Sequence, residues 1–428
     1  MKRLFGVMAL MSAASAVAAT TISNVSLTQD VRNGQIKVDY TLGGDAAIVT
    51  CEFLADGALL DEASCTRLTG DINAKVAAGD RSFSWMPSPE LAAKSSDAFS
   101  VKLRAWSPST PPDYMVVNLV ATNDVVRYYV STNALPMGGL ANDIYRKFLL
   151  VMRRIPAKGV TWTMGSSASE GGRNSKRETR HEVTFTNDYW MGIYPVTSRQ
   201  YSCIWETQPL FGYWATNNVN DSSYCTAAMR DLRPQTNVSH KELRGSVQYK
   251  KDNGASDIYT WPQKGHDVTP ASVIGKIRRR TGIAFDLPTD AQWEFACRAG
   301  TSTAFFFGNA MVPNGGWTSN NTWPDGKRSP HPVGLTLANA YGLYDLYGNV
   351  LETCLDKLEN NTDLPTYEMP ETPVTEPKGI EYSSVLNIVQ RGGCYSWGND
   401  ISRSAYRERC NYDWAGNERG FRLWAPID

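Results

Sequence analysis

The run Leu287–Thr301 reads LPTDAQWEFACRAGT. Thr289, followed three residues later by Gln292, approximates a capping box, in which a hydroxyl and an amide satisfy the donors left open at a helix start. The helix begun there carries Trp293 and Phe295, apolar groups suited to a core, so Asp290 and Glu294 read as structural rather than catalytic. A second helix is expected after Thr269-Pro270, about Ala271 to Arg280, with basic residues in the last turn where the macrodipole favours them. Around these two, the chain from about residue 152 onward is dense in Trp, Tyr, Gly and Asn, a texture of short strands and long loops. The stretch Asp356 to Glu381 is rich in Pro and acids, has no apolar period, and reads as a surface loop.

Upstream the texture differs. Ile36, Val38, Tyr40 and Leu42 alternate with polar residues, as do Phe99, Val101, Leu103 and Ala105. Period two on both runs predicts strands with one buried and one wet face. Turn formers such as Asn33-Gly34, Gly43-Gly44-Asp45 and Asp56-Gly57 cut residues 20–125 into the segments of an immunoglobulin- or fibronectin-like β-sandwich. Trp85 and Trp106 are expected to plug its core. Residues 126–151, with NALPMGG over Asn133–Gly139, read as a connector, and 152–428 as a second domain.

Residues 1–19 carry Lys2 and Arg3, the apolar run Leu4–Leu10 and a small-residue end at Ala16-Val17-Ala18-Ala19. This is the pattern of a cleaved secretory signal, too short for a membrane span, so a secreted or periplasmic location is expected. With 43 Lys+Arg against 43 Asp+Glu, no dominant attraction to nucleic acid or anionic lipid is expected. Eight cysteines in an exported chain favour disulfides, with Cys51/Cys65 and Cys203/Cys225 as local candidates. No C-x-x-C occurs, and the four histidines, His181, His240, His266 and His331, are too scattered for a three-His iron centre.

A set of motifs runs in order through the second domain. It comprises Arg153–Pro156, Thr163–Ser166, His181–Phe185, YWMGIYPVT over Tyr189–Thr197, and the quoted Leu287–Thr301. YGLYDLYGNVLE over Tyr341–Glu352, Arg391-Gly392-Gly393, Arg403–Arg407 and Gly420–Leu423 complete it. Jointly these resemble the sulfatase-modifying-factor, or formylglycine-generating-enzyme-like, family. The resemblance implies an α+β, C-type-lectin-like domain with many irregular loops, here preceded by the all-β sandwich. Within it, Arg422 is expected to tie the terminal segment into the core by an ion pair or carbonyl contacts.

Hard cations want all-oxygen cages of about 6–8 ligands. Asp345 and Glu352 flank a Gly turn and offer two carboxylates with carbonyls between them. The resemblance implies a calcium site there, at Asp345, Gly348 (carbonyl), Val350 (carbonyl) and Glu352. It also implies two cysteines, five positions apart after the Gly-Gly pair, whose soft thiolates hold Cu(I). Those positions fall on Trp397 and Ser402, and neither Cys394 nor Cys410 coincides with them. A copper centre is therefore not expected, and no catalytic residue is assigned.

Two functions compete. One is a binding module for an exported protein, peptide or glycan, or a divergent member with other chemistry. Its surface would be the run Cys394–Asp413 and its neighbour Trp414, with Tyr395, Trp397, Asn399, Tyr412 and Trp414 as contact candidates, residue types suited to adaptable recognition. The other is the oxidoreductase that converts cysteine to formylglycine in exported sulfatases, or a related non-heme metal oxidase. Fold resemblance alone does not decide between them.

Overall fold

The computed structural model describes residues 20–427 apart from 31, 93–98, 206–222, 224, 251–257, 263–265, 322, 359–373 and 376–386. The expected signal segment and most of the Asp356–Glu381 stretch lie outside the described residues. The chain divides into two compact units with the break between Pro108 and Ser109.

The first unit holds two antiparallel sheets. One runs Thr21–Gln29, Ile36–Gly43, Gly79–Trp85, Leu68–Gly70; the other has Ala47–Ala55 paired with Ala58–Leu59, Ala74–Val76 and Phe99–Trp106. Both predicted alternations are strands, and Val38, Tyr40, Leu42, Val49, Phe53, Phe83 and Trp85 share one core. Trp85 stacks on Phe53 with ring centroids 4.2 Å apart. Trp106 does not join it. It lies on the face of its strand that also carries Arg104, whose guanidinium sits 3.5 Å from the indole centroid, and its Nε1 donates to Thr50 Oγ1. The parity that puts Leu103 and Ala105 inside puts Trp106 outside. All eight cysteines are thiols in this structure, and Cys51 and Cys65 border this same core.

The second unit begins earlier than the sequence suggested. Tyr114–Asn118 pairs with Leu149–Ile155, and Val126–Tyr129 pairs with Tyr114–Asn118. A five-stranded antiparallel sheet continues through Tyr189–Gly192 to Trp424–Pro426. The stretch expected to end the sandwich and the one expected to connect thus both supply strands here. Strand texture identifies a strand without naming its partner, and only the pairing across residues 119–148 reveals it. A second sheet runs Glu408–Asn411, Asn387–Arg391, Leu351–Lys357, Arg419–Gly420.

Both predicted helices form. Asp290–Arg298 starts at Thr289 with a complete capping box, the Thr289 hydroxyl accepting from Gln292 N and the Gln292 side chain accepting from Thr289 N. Val273–Thr281 starts from Ser272, ends at Gly282 in the left-handed region, and places Arg278, Arg279 and Arg280 in its last turn. Apart from short helical turns and loops the unit is mostly sheet, an α+β architecture. No helix among the described residues is long and apolar enough to cross a membrane.

Candidate functional site

The helix Asp290–Arg298 anchors the loops of interest through charge. Arg391, wholly buried, donates Nε to Asp290 Oδ1 and Nη2 to Glu294 Oε2 at 2.9 Å. Arg407 donates to the other Asp290 oxygen at 2.6 Å, and Arg298 to Glu294 Oε1 at 2.9 Å. Burial works to raise the Glu294 carboxyl, but the guanidinium groups of Arg298, Arg391 and Arg407 win and hold it at about 2. This network fixes the segment Arg391–Arg407 at both ends. Individually the residues are visible in sequence; their mutual pairing is not, because the partners lie about a hundred residues apart.

Past Arg391 the chain turns through Gly392 and Gly393, with φ of +86° and +71°. A Cβ on Gly393 would sit 2.2 Å from Ser402 Oγ, so only glycine lets the two ends of the loop pack. Ser402 is fully buried and donates to Gly398 O at 3.3 Å. Trp397 is half-buried; its N–H donates to Cys394 O and its carbonyl accepts from Ser319 N. Neither position offers a thiolate, and the donor set does not fit Cu(I). Cys394 is buried, 3.3 Å from Ser396 Oγ, with its thiol pushed up to about 12 by burial. It is not a ready metal ligand or nucleophile.

The contact candidates separate. Tyr395 and Trp414 line a cavity of about 530 Å³, together with Arg328, Ser396, Glu418 and Arg419 among others. Trp414 is 57% exposed, with the Arg419 guanidinium 4.0 Å from its ring centroid. Ser396 Oγ donates to Glu418 Oε1 in a short bond. Trp397 is not among the lining residues, and Asn399 is tied down, its Oδ1 accepting from Thr318 Oγ1 at 2.7 Å. Tyr412 is 3% exposed and does not present its ring to solvent. Polar composition marked the loop as a surface; the local turn sends Tyr412 inward instead. Arg328 arrives from a loop remote in the chain, and no local signal marks it as part of this pocket.

At the candidate calcium site, Asp345 is buried at φ +55°. Its carboxylate accepts from Gly334 N at 2.6 Å and Thr336 Oγ1 at 3.4 Å. Burial, aided by the Glu352 charge, raises its carboxyl to about 6 against the hydrogen bond from Gly334. Glu352 is already answered: Arg422 donates to both its oxygens and Trp293 Nε1 donates to Oε2 at 2.7 Å. Among the described residues no three His, Cys, Asp or Glu side chains gather as a metal site. At the Asp345 end a buried carboxylate lacks an ion-pair partner among the described residues, which leaves it as the one uncompensated side-chain charge for a hard cation. There the cation would lean on carbonyls and water, with Glu352 arriving neutralised.

Residues 152–426 match the family model described as the sulfatase-modifying factor enzyme 1-like domain. The chain belongs to this family. It is 34% identical over 200 residues to the formylglycine-generating enzyme of Streptomyces coelicolor, covering 44% of this chain and 60% of that protein. It is 34% identical over 276 residues to that of Mycobacterium tuberculosis, covering 54% of this chain and 90% of that one. Among solved structures, PvdO from Pseudomonas aeruginosa aligns with a TM-score of 0.47 at 20% identity, over 65% of this chain and 94% of PvdO. Treponema denticola variable protein 1 aligns with a TM-score of 0.45 at 19% identity, over 65% and 95%.

Proposed function

We propose that this chain is an exported, divergent member of the family that binds a ligand at the Tyr395–Trp414 pocket rather than generating formylglycine. The observation that carries the reading is the pair Trp397 and Ser402. A half-buried indole and a buried hydroxyl stand where the family's copper chemistry needs two convergent thiolates. The same loop walls a cavity of the size that takes small ligands, with an exposed tryptophan at its rim. Such a ligand would be a peptide or glycan, or a small piece of either. The signal-like residues 1–19 support export, and in an oxidising compartment Cys51 would pair with Cys65. Calcium, when bound, supplies neutralisation of Asp345 and rigidity to the turn Gly348–Val350; no chemical step passes through it.

Arrays of peptides and glycans probed with the full chain and with Trp414→Ala test the reading. Trp414 is exposed, so its replacement spares the core. Array ligands retained by the wild-type chain and lost by the variant are expected. Retention of every array ligand by Trp414→Ala would place recognition elsewhere.

A further inference from the structure

The charge lining the pocket is one-sided. Arg328, Lys327 and Arg419 contribute three cations against the single carboxylate of Glu418, and that carboxylate accepts the Ser396 hydroxyl. Arg328 is exposed and has no ion pair among the described residues. Arg419 is mostly buried, held by Gln390 Oε1 at 3.2 Å, so its charge is fixed in place rather than waving in solvent. The chain as a whole is neutral, which makes this local excess a property of the pocket. Trp414 adds the second element. The Arg419 guanidinium lies 4.0 Å from its ring centroid, while 57% of the residue remains open, surface on which a flat ring can stack.

Resting on the pocket reading above, we propose that the ligand is an anionic saccharide. Its ring would stack on Trp414, its carboxylate or sulfate would face Arg328, and its hydroxyls would meet Ser396 and Tyr395. The geometry favours a saccharide over an extended acidic peptide. A cavity of about 530 Å³ has room for one or two rings, and of the described strands only Arg419–Gly420 contributes a residue to its lining, so no strand edge is offered to an extended peptide. The stacked cation beneath the indole also draws an anion toward the platform without blocking it.

Calorimetric titration with four probes tests this: a sulfated chondroitin disaccharide, its unsulfated form, lactose, and an acidic tetrapeptide of glutamates. The sulfated disaccharide is expected to bind most tightly, the unsulfated uronate more weakly, and lactose and the peptide not measurably. Arg328→Glu, on the surface and outside the buried network, is expected to weaken the sulfated probe by about tenfold or more, as is Trp414→Ala. Raising salt from about 0.05 to about 0.3 M is expected to weaken it as well. Tighter binding of lactose, or equal binding of all saccharides, would overturn the anionic inference and leave pocket binding standing. Binding of the peptide alone would overturn the saccharide. Failure of every probe, with array ligands still lost in Trp414→Ala, would overturn the inference alone. Failure of every probe with no Trp414-dependent array ligand would remove the pocket reading too.

Discussion

Glu352 and Arg422, 70 residues apart in the chain, meet in a fully buried bidentate ion pair, Nη2 to Oε1 at 2.7 Å and Nε to Oε2 at 2.9 Å. Arg422 also donates to the carbonyls of Gly192 and Tyr344. With Trp293 on Glu352, the pair joins the helix Asp290–Arg298, the strand Leu351–Lys357 and the terminal segment. Removing one partner leaves a buried charge without an answer, whereas removing both leaves only a packing loss. Arg422→Ala is expected to cost about 3–5 kcal/mol in the unfolding transition of the second unit, by denaturant titration. Arg422→Met with Glu352→Met is expected to recover part of it. A double variant as damaged as the sum of the singles would show that the two residues act independently.

Acid is expected to destabilise the second unit through two buried histidines, against an opposing contribution from Asp345, whose carboxyl is raised to about 6. His240 is fully buried, and burial followed by the Arg244 and Lys357 charges lowers it to about 3, with Asp286 opposing. His331, between the rings of Trp317 and Trp323 at 3.8 and 4.0 Å, is lowered to about 3 by burial and then Arg233. Unfolded, both take a proton near pH 6.5; folded, they refuse it. The unfolded state therefore binds more protons below that value, and stability falls as pH drops from about 6.5 toward 3. Melting temperature followed across that range checks it. His240→Phe should flatten the upper part of the curve, and an unchanged curve would count against the lowered histidine.

Calcium should stabilise the fold through Asp345. With the carboxyl raised to about 6, ionisation opposes folding as pH rises from the unfolded value through 6, unless a cation offsets it. At pH 7 the melting temperature is expected to rise with free calcium once that exceeds Kd, and to fall with a chelator. Asp345→Asn should remove the response. Equal melting temperatures with and without chelator would exclude calcium from this turn.

The Thr289 cap is testable alone. Thr289→Ala removes the hydroxyl that accepts from Gln292 N and is expected to cost about 1 kcal/mol, with Thr289→Ser recovering most of it. Thr289→Ala with no measurable loss would mean that burial of Trp293 sets the helix start by itself.

What the sequence disclosed follows physical range. Thr289 and Gln292 are three residues apart, so the capping box could be read directly, as could the alternations at Ile36 and Phe99. The pairing of Tyr114–Asn118 with Leu149–Ile155 could not, because a strand's periodicity says nothing about its neighbour. Arg422 is legible as a core tie through its motif, but its pairing with Glu352 is not, because 70 residues separate the two. At the pocket, Tyr395 and Trp414 were legible by residue type and Tyr412 misled for the same reason. Arg328 stayed hidden, since its role depends only on where a remote loop lands.

On the proposed reading, this family member leaves a sulfatase-type cysteine unoxidised. Incubating the purified chain with Cu(I), O₂ and a sulfatase-type cysteine peptide, and reading the peptide mass, tests it most directly. An unconverted cysteine is expected, both for the natural chain and for separate Trp397→Cys and Ser402→Cys variants, each of which supplies one thiolate where two must converge. Aldehyde formed by the natural chain would contradict it and restore the oxidoreductase reading.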